Sequence, residues 1–246
     1  MVTIEEPLHI FLNETYYASI LCTPSMRREL VLGHLLSEGI IQDLSEVTKI
    51  QFLKVGKCNV TLKSGINLNS RITSSSSFAR VVTTACGRVS SWPLSKLLDR
   101  VKLPEIKSNV RVNARLIVEA CQRLNALAET FRETGGVHAA AIFSSSGDFI
   151  AFSEDVGRHN AVDKAIGAAT IRRHMLSESF LTLTGRLSGD IVLKAARVKL
   201  PIVASLAAPL YSGVKIAKMS GVTLIGFVRG HRLNIYTHPK RVMVGK

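Results

Sequence analysis

FIAFSEDVGRHNAVDKAIGA, residues 149–168, is the stretch on which the fold turns. Phe149 to Ser153 reads as an apolar strand, and from Arg158 to Ala169 the Ala, Val and Ile residues recur at helical spacing. Strand therefore passes into helix across one short polar turn. The same alternation surrounds it. Apolar strands are predicted at Val137–Phe143, Phe180–Thr184, Ile202–Ser205 and Val222–Val228, with helices at Asp190–Val198 and Tyr211–Ser220. An opening hairpin followed by this alternation predicts an α/β unit, a mixed sheet covered by helices on both faces. Ligands of such sheets sit where loops leave the carboxyl ends of the strands.

Working outward, Asn113 to Glu133 is predicted as one helix, with Ile117, Cys121, Leu124, Ala128 and Phe131 along a stripe and Gly135 as its stop. Before it the pattern is mixed α+β. Pro7–Leu12 and Tyr16–Cys22 read as strands, and Val47–Leu53 with Asn59–Leu62 as a hairpin. Thr23 is a candidate cap and Pro24 a first helical residue for a helix whose inner face holds Leu30, Val31, His34 and Leu35. Asn69 to Ser91 is a long polar, Ser/Thr-rich loop that contains Cys86. A boundary near Ser108 divides the chain into a smaller domain, 1–108, and a larger one, 109–246.

The 246 residues are 46% hydrophobic and 20% charged, ample for a packed core and far from disordered composition. Net charge is +14, and its distribution is uneven: +4 over residues 1–149 against +10 over 150–246, with no acidic residue after Asp190. Such a half-chain concentrates anionic partners, although the same charge also serves solubility. The chain shows no secretory signal pattern, and Leu200–Val214 is too short to cross a bilayer. A soluble, cytoplasmic protein without membrane contact is expected. Cys22, Cys58, Cys86 and Cys121 are widely spaced and form no C-x-x-C pair, which predicts neither a disulfide framework nor a structural metal.

Three turns carry candidate chemistry. In Glu154–Asn160, Asp155 is a plausible N-cap, Gly157 permits close approach, and Arg158 and His159 offer donors at a helix start, where ordinary capping would also explain them. In Thr184–Asp190, the glycines Gly185 and Gly189 free backbone N–H groups while Arg186 adds a guanidinium fork suited to phosphate. Phe227, Val228, Arg229, Gly230, His231 and Arg232 form a basic turn with an aromatic neighbour that could stack on or clamp a nucleotide, or simply be a solvated hairpin. Cys22, Cys58 and Cys121 fall in strand or core-helix positions. Cys86 differs: it lies in a polar loop beside Gly87 and Arg88, a setting that favours thiolate. His138 enters an apolar strand, and His34 is expected in the core.

With TGGVHAA from Thr134, EDVGRHNAVDKAIG from Glu154, TGRLSGD from Thr184, LIGFVRG and NIYTHP near the end, and EEPLHIFLN and LGHLLSEGII at the front, the chain resembles the formate dehydrogenase accessory sulfurtransferase family from about Glu5 to Pro239. The resemblance implies a sulfur carrier that takes persulfide sulfur from a cysteine desulfurase and passes it to the bis-molybdopterin guanine dinucleotide cofactor of formate dehydrogenase. The family's C-G-x-C-G loop reads Cys86-Gly87-Arg88-Val89-Ser90 here, so the first cysteine carries over as catalytic and Val89 stands in place of the second. Its cofactor-binding stretch corresponds to Phe227–Arg232. Arg158, His159, Gly185 and Arg186 are expected as further contacts, with GDP or GMP as mimics of the ligand. The family's larger domain is similar in fold to the three-layer α/β/α cytidine deaminases. The positions of their H-x-E and P-C-x-x-C motifs are His159-Asn160-Ala161 and Gly185–Gly189, which lack the glutamate and both metal cysteines, so no metal is expected. A homodimer is implied as well. A molybdenum-cofactor binding chaperone without a reactive thiol is the alternative, and a nucleic-acid partner is not expected.

Overall fold

The computed structural model describes residues 2–53, 56–72 and 103–244. β1 (Glu6–Leu12) and β2 (Thr15–Cys22) form a hairpin turned at Asn13 and Glu14, both at positive φ, as a tight two-residue turn requires. Together with β3 (Val47–Leu53) and β4 (Lys57–Leu62) they make a four-stranded sheet of order β2-β1-β4-β3. Alternation puts Leu8, Ile10, Leu12, Cys58, Val60 and Leu62 on its buried face, against Leu30, Val31 and Leu35 of α1 (Arg27–Ser37).

The second sheet has six strands: β6 (His138–Ser144), β7 (Phe149–Asp155), β8 (Ser179–Leu183), β9 (Ile202–Ser205), β10 (Thr223–Arg229) and β11 (Arg232–Ile235). Its order is β11-β10-β9-β8-β6-β7, with β8, β9 and β10 parallel and β6 antiparallel to both of its neighbours. One face carries α2 (Ala114–Leu127), whose Ile117, Cys121 and Leu124 pack on Ala139, Ala141 and Phe180. The other carries α4 (Arg158–Ile171), α5 (Gly189–Arg197) and α6 (Tyr211–Ser220) over Ile142, Leu183, Val203 and Leu224. The predicted mixed sheet with helices on both faces is therefore present. A short ladder joins β5 (Val112–Asn113) to β12 (Val242–Met243).

Helix α1 lies between the four-stranded sheet and α4. Two glycines set that approach: a Cβ on Gly33 would stand 1.8 Å from the Asp163 carbonyl oxygen, and one on Gly167 would stand 2.0 Å from the Glu29 carbonyl oxygen. The N-terminal layer is thus fixed directly over the helix that starts at the end of β7.

Three local expectations are corrected. The segment after Asn113 is two helices, because the chain breaks at Ala128 and the Glu154 carboxylate accepts from the amides of Thr130 and Phe131, starting α3 (Glu129–Thr134) anew. α1 begins at Arg27 after Met26 in the left-handed region, not after Thr23. Thr23 instead spans the two layers: its amide donates to Asp155 Oδ2 at 3.1 Å and its hydroxyl accepts from the Val156 amide at 3.1 Å. Asp155 ends β7 and is not the cap of α4, a position held by Gly157.

Candidate functional site

The carboxyl ends of β7, β8, β9 and β10 and the amino end of β6 share one edge of the six-stranded sheet, and α4 and α5 begin there. All three turns singled out in the sequence meet this edge. Gly185 leaves β8 with its Cα against Arg158, where a Cβ would stand 2.9 Å from the arginine Cβ. The turn is held from behind by Ser205, whose hydroxyl shares its one proton between the carbonyls of Gly185 (2.7 Å) and Leu183 (3.0 Å) and accepts from the Ala207 amide. Thr184 Oγ1 accepts from the Ala139 amide at 3.0 Å and lies 3.3 Å from His138 Nδ1.

Polar groups here are left without partners. Arg158 Nε, His159 Nε2 and Ser188 Oγ are buried atoms with no hydrogen-bond partner. Ser188 is fully buried and is the N-cap of α5. An orphaned buried polar group is costly, and such groups persist where a ligand, an ion or an ordered water completes them. Burial and then the Arg186 charge push the Arg158 guanidinium down from its ordinary value, with Asp190 opposing. Burial followed by Arg158 and Arg186 lowers the His138 imidazole. His159 drops to about 4, through burial and then Lys194 and Arg158, while burial raises Asp190 to about 6. The His159 Nε2 to Asp190 Oδ2 separation is 3.8 Å, beyond hydrogen bonding.

Beside this cradle, a cleft of about 420 Å³ is lined in part by Cys121, Gln122, Thr184, Ala207, Val228, Arg229 and Gly230. Phe227, His231 and Arg232 stand exposed on the β10–β11 hairpin, with Phe227 at φ 53° and the Arg229 guanidinium 5.8 Å from its ring centre. Val228, Arg229, Gly230 and Thr184 thus meet at the cleft, and Gly185 packs on Arg158, whose charge acts with that of Arg186 on His138, while His159 lines a second pocket with Glu38, Asp163, Asp190 and Lys194.

Behind the edge the charges are paired. Lys164 Nζ contacts Asp155 Oδ2 at 2.6 Å. Lys194 Nζ lies 3.0 and 2.9 Å from the two Asp163 oxygens, 2.8 Å from Glu38 Oε1 and 3.0 Å from Ser37 Oγ. His34, expected in the apolar core, instead joins this network through Asp163 Oδ2 at 3.1 Å, because α1 turns that side of its face onto α4. Ser188 and Asp190 fell within the candidate turn 184–190 but had no role read from the sequence, and this network was missed. Ser188 immediately before the glycine that opens α5 is a capping signal that could have been read.

Cys22, Cys58 and Cys121 are buried, and desolvation raises all three thiols, Cys58 to about 11 and Cys121 to about 12. Cys86 and the loop around it, Arg88 and Val89 included, lie outside the described residues. Among the described residues there is no cluster of His, Cys, Asp and Glu suited to a metal ion, and no helix long and apolar enough to cross a membrane.

The carboxyl edge of this α/β sheet thus leaves Arg158 Nε, His159 Nε2 and Ser188 Oγ unpartnered in front of the buried Lys164 and Lys194 ion pairs. The FdhD/NarQ family model matches residues 3–243, and the chain belongs to that family. It is 38% identical to the sulfur carrier protein FdhD of Sulfolobus acidocaldarius, over 98% of this chain and 90% of that protein. The protein of that name from Wolinella succinogenes is 33% identical, over 98% and 82%. A crystal structure assigned as a formate dehydrogenase accessory protein of Desulfotalea psychrophila superposes with a TM-score of 0.75 at 26% identity, covering 98% of this chain and 90% of that one.

Proposed function

We propose that this protein is a sulfur carrier for the maturation of formate dehydrogenase, with Cys86 as the sulfur-bearing residue. The Cys86 thiolate attacks the terminal sulfur of a cysteine desulfurase persulfide. The donor's S–S bond breaks as the new one forms, the donor leaves as thiolate, and no net oxidation occurs. The terminal sulfur is then handed to the bis-molybdopterin guanine dinucleotide cofactor, which is substrate here rather than a resident group: the Cys86 S–S bond breaks, Cys86 leaves as thiolate, and the reduced cofactor supplies the two electrons that take the sulfur to the sulfide level. Family membership over nearly the whole chain is the observation that carries this reading. The three buried, desolvated cysteines support Cys86 by elimination.

The residues at the sheet edge fit such a cargo. Arg158 Nε and Ser188 Oγ lack partners that phosphate oxygens would supply, and the cleft at Arg229 falls within the ~300–1,000 Å³ usual for small-molecule sites. In this reading Arg158, His159, Gly185 and Arg186 hold phosphate, and the 227–232 hairpin holds the guanine end. The reading also takes the chain as two domains meeting near Ser108, the larger similar to the deaminases, working as a cytoplasmic homodimer.

Incubation with a cysteine desulfurase and cysteine, followed by mass spectrometry of the intact protein, tests the assignment. Wild type should gain one sulfur on the Cys86 peptide, and Cys86→Ala should gain none and fail to mature formate dehydrogenase. A fully active Cys86→Ala protein that still binds GDP would replace the carrier with the cofactor chaperone, which the Val89 substitution in the loop otherwise favours.

A further inference from the structure

Asp190 is out of place beside a site for anions. It occupies the first turn of α5, next to the N-cap whose hydroxyl is unpartnered, and its Oδ2 lies 3.8 Å from His159 Nε2. Its side chain is only 20% exposed. An ionised carboxylate there would repel a phosphate drawn to Arg158, the guanidinium whose charged form Arg186 disfavours and Asp190 favours. Facing it are Arg158, His159 and Asp163 of α4, Glu38 and His34 near the end of α1, and Lys194 and Arg197 of its own helix. Lys194 and Arg197 are already engaged by Glu38, and Lys194 also by Asp163. Neither is left to neutralise Asp190 alone.

We propose that phosphate binding at this cradle is proton-coupled: the anion enters together with one proton, which is taken up by the Asp190 carboxyl. This rests on the reading of the cradle as a phosphate contact. An incoming negative charge beside a buried carboxyl disfavours its ionised form. The protonated group then becomes a hydrogen-bond donor, adding to Arg158 Nε and Ser188 Oγ instead of opposing them. His159 is the poorer acceptor of that proton, because Lys194 and Arg158 flank its ring and burial already holds it neutral. Asp190, with burial placing it at about 6, starts closer to neutral pH than His159, and the bound anion has to carry it to about 8 or above for it to stay protonated there.

The test is isothermal titration of the full-length protein with GDP in two buffers of different ionisation enthalpy. Wild type should take up close to one proton per GDP near pH 7, and its affinity should weaken about tenfold per pH unit above that. Asp190→Asn should bind GDP without that uptake and lose the pH dependence, whereas His159→Gln should keep the uptake even if affinity falls. Guanosine, which carries no phosphate, should bind without proton exchange. The terminal phosphate of GDP titrates in the same range, so uptake that persists in Asp190→Asn would assign the proton to the nucleotide or to another group and overturn the proposal. GDP binding with no uptake in wild type would overturn it as well, while leaving the phosphate site standing. Absence of GDP binding at any pH would remove both.

Discussion

Replacing Lys194 by Met would keep the aliphatic stem and delete the charge at the centre of the contact between α1, α4 and α5. Lys194 is 4% exposed, and its ammonium touches both Asp163 oxygens, Glu38 and Ser37 within 3.0 Å. Burial alone would lower the lysine, but Asp163 and Glu38 reverse this and raise it, and Lys194 in turn holds Asp163 down against its own burial. Breaking a buried pair from one side strands the other charge, at about 3–5 kcal/mol. For a chain of this size that lowers the melting temperature by roughly 10 °C. The pH dependence gives a sharper signature. Because the folded Asp163 pKa is depressed, its contribution in wild type is complete above the unfolded value of about 4 and is lost as pH falls through the folded one. Without Lys194 burial raises that carboxyl, so the variant is penalised at neutral pH and relieved as the group protonates. The gap between the two proteins should therefore narrow from pH 7 to pH 4 in urea unfolding. A loss under about 1 kcal/mol at pH 7, or a gap independent of pH, would refute the reasoning.

Gly33→Ala should cost at least about 3 kcal/mol in chemical denaturation, since its Cβ would sit 1.8 Å from a backbone carbonyl; Gly65→Ala, with open space around it, should cost about 1 kcal/mol from its positive φ alone. Asp190→Asn should be more stable than wild type at pH 7.5 by up to about 3 kcal/mol, with the difference gone by pH 4. The raised carboxyl favours the fold only while protonated and loses that as pH rises through about 6. Phe227→Gly relieves a left-handed residue and should hold or raise the melting temperature by an amount worth about 1 kcal/mol, while GDP affinity falls with the loss of the ring beside Arg229.

What could be read from the sequence follows from how locally each feature is encoded. Strands β9 and helix α6 were placed to the residue, because a short apolar run bounded by Pro201 or closed by Gly221 carries its own limits. The break at Ala128 was not legible, since the group that starts the next helix is Glu154, on a strand distant in sequence. The same applies to Thr23, whose capping chemistry is spent on Asp155 and Val156. Arg158, Arg186 and Arg229 were legible as a set because glycine-bearing turns at the carboxyl ends of strands, two leading into helices and one into the β10–β11 hairpin, place their side chains at one edge by topology alone. His34, Asp163 and Lys194 were not, because each looks like a solvated or core residue until three helices are packed together.

Interior and edge treat charge in opposite ways, and the two treatments depend on each other. Lys164 and Lys194 each satisfy carboxylates from α4 or β7 while reaching partners before or within α1, such as Thr23 O and Ser37. These contacts fix the first turns of α4 and α5 from behind, and Gly33 and Gly167 bring the backbones close enough for them to form. A rigid support would keep Arg158, His159 and Ser188 unpartnered, because a mobile one would let those groups turn onto nearby partners and satisfy themselves. The unpartnered donors and the buried pairs are therefore one device. A substitution such as Lys194→Met should weaken GDP binding as well as the fold, with no contact to the nucleotide, and equal affinity in a folded Lys194→Met protein would separate the two.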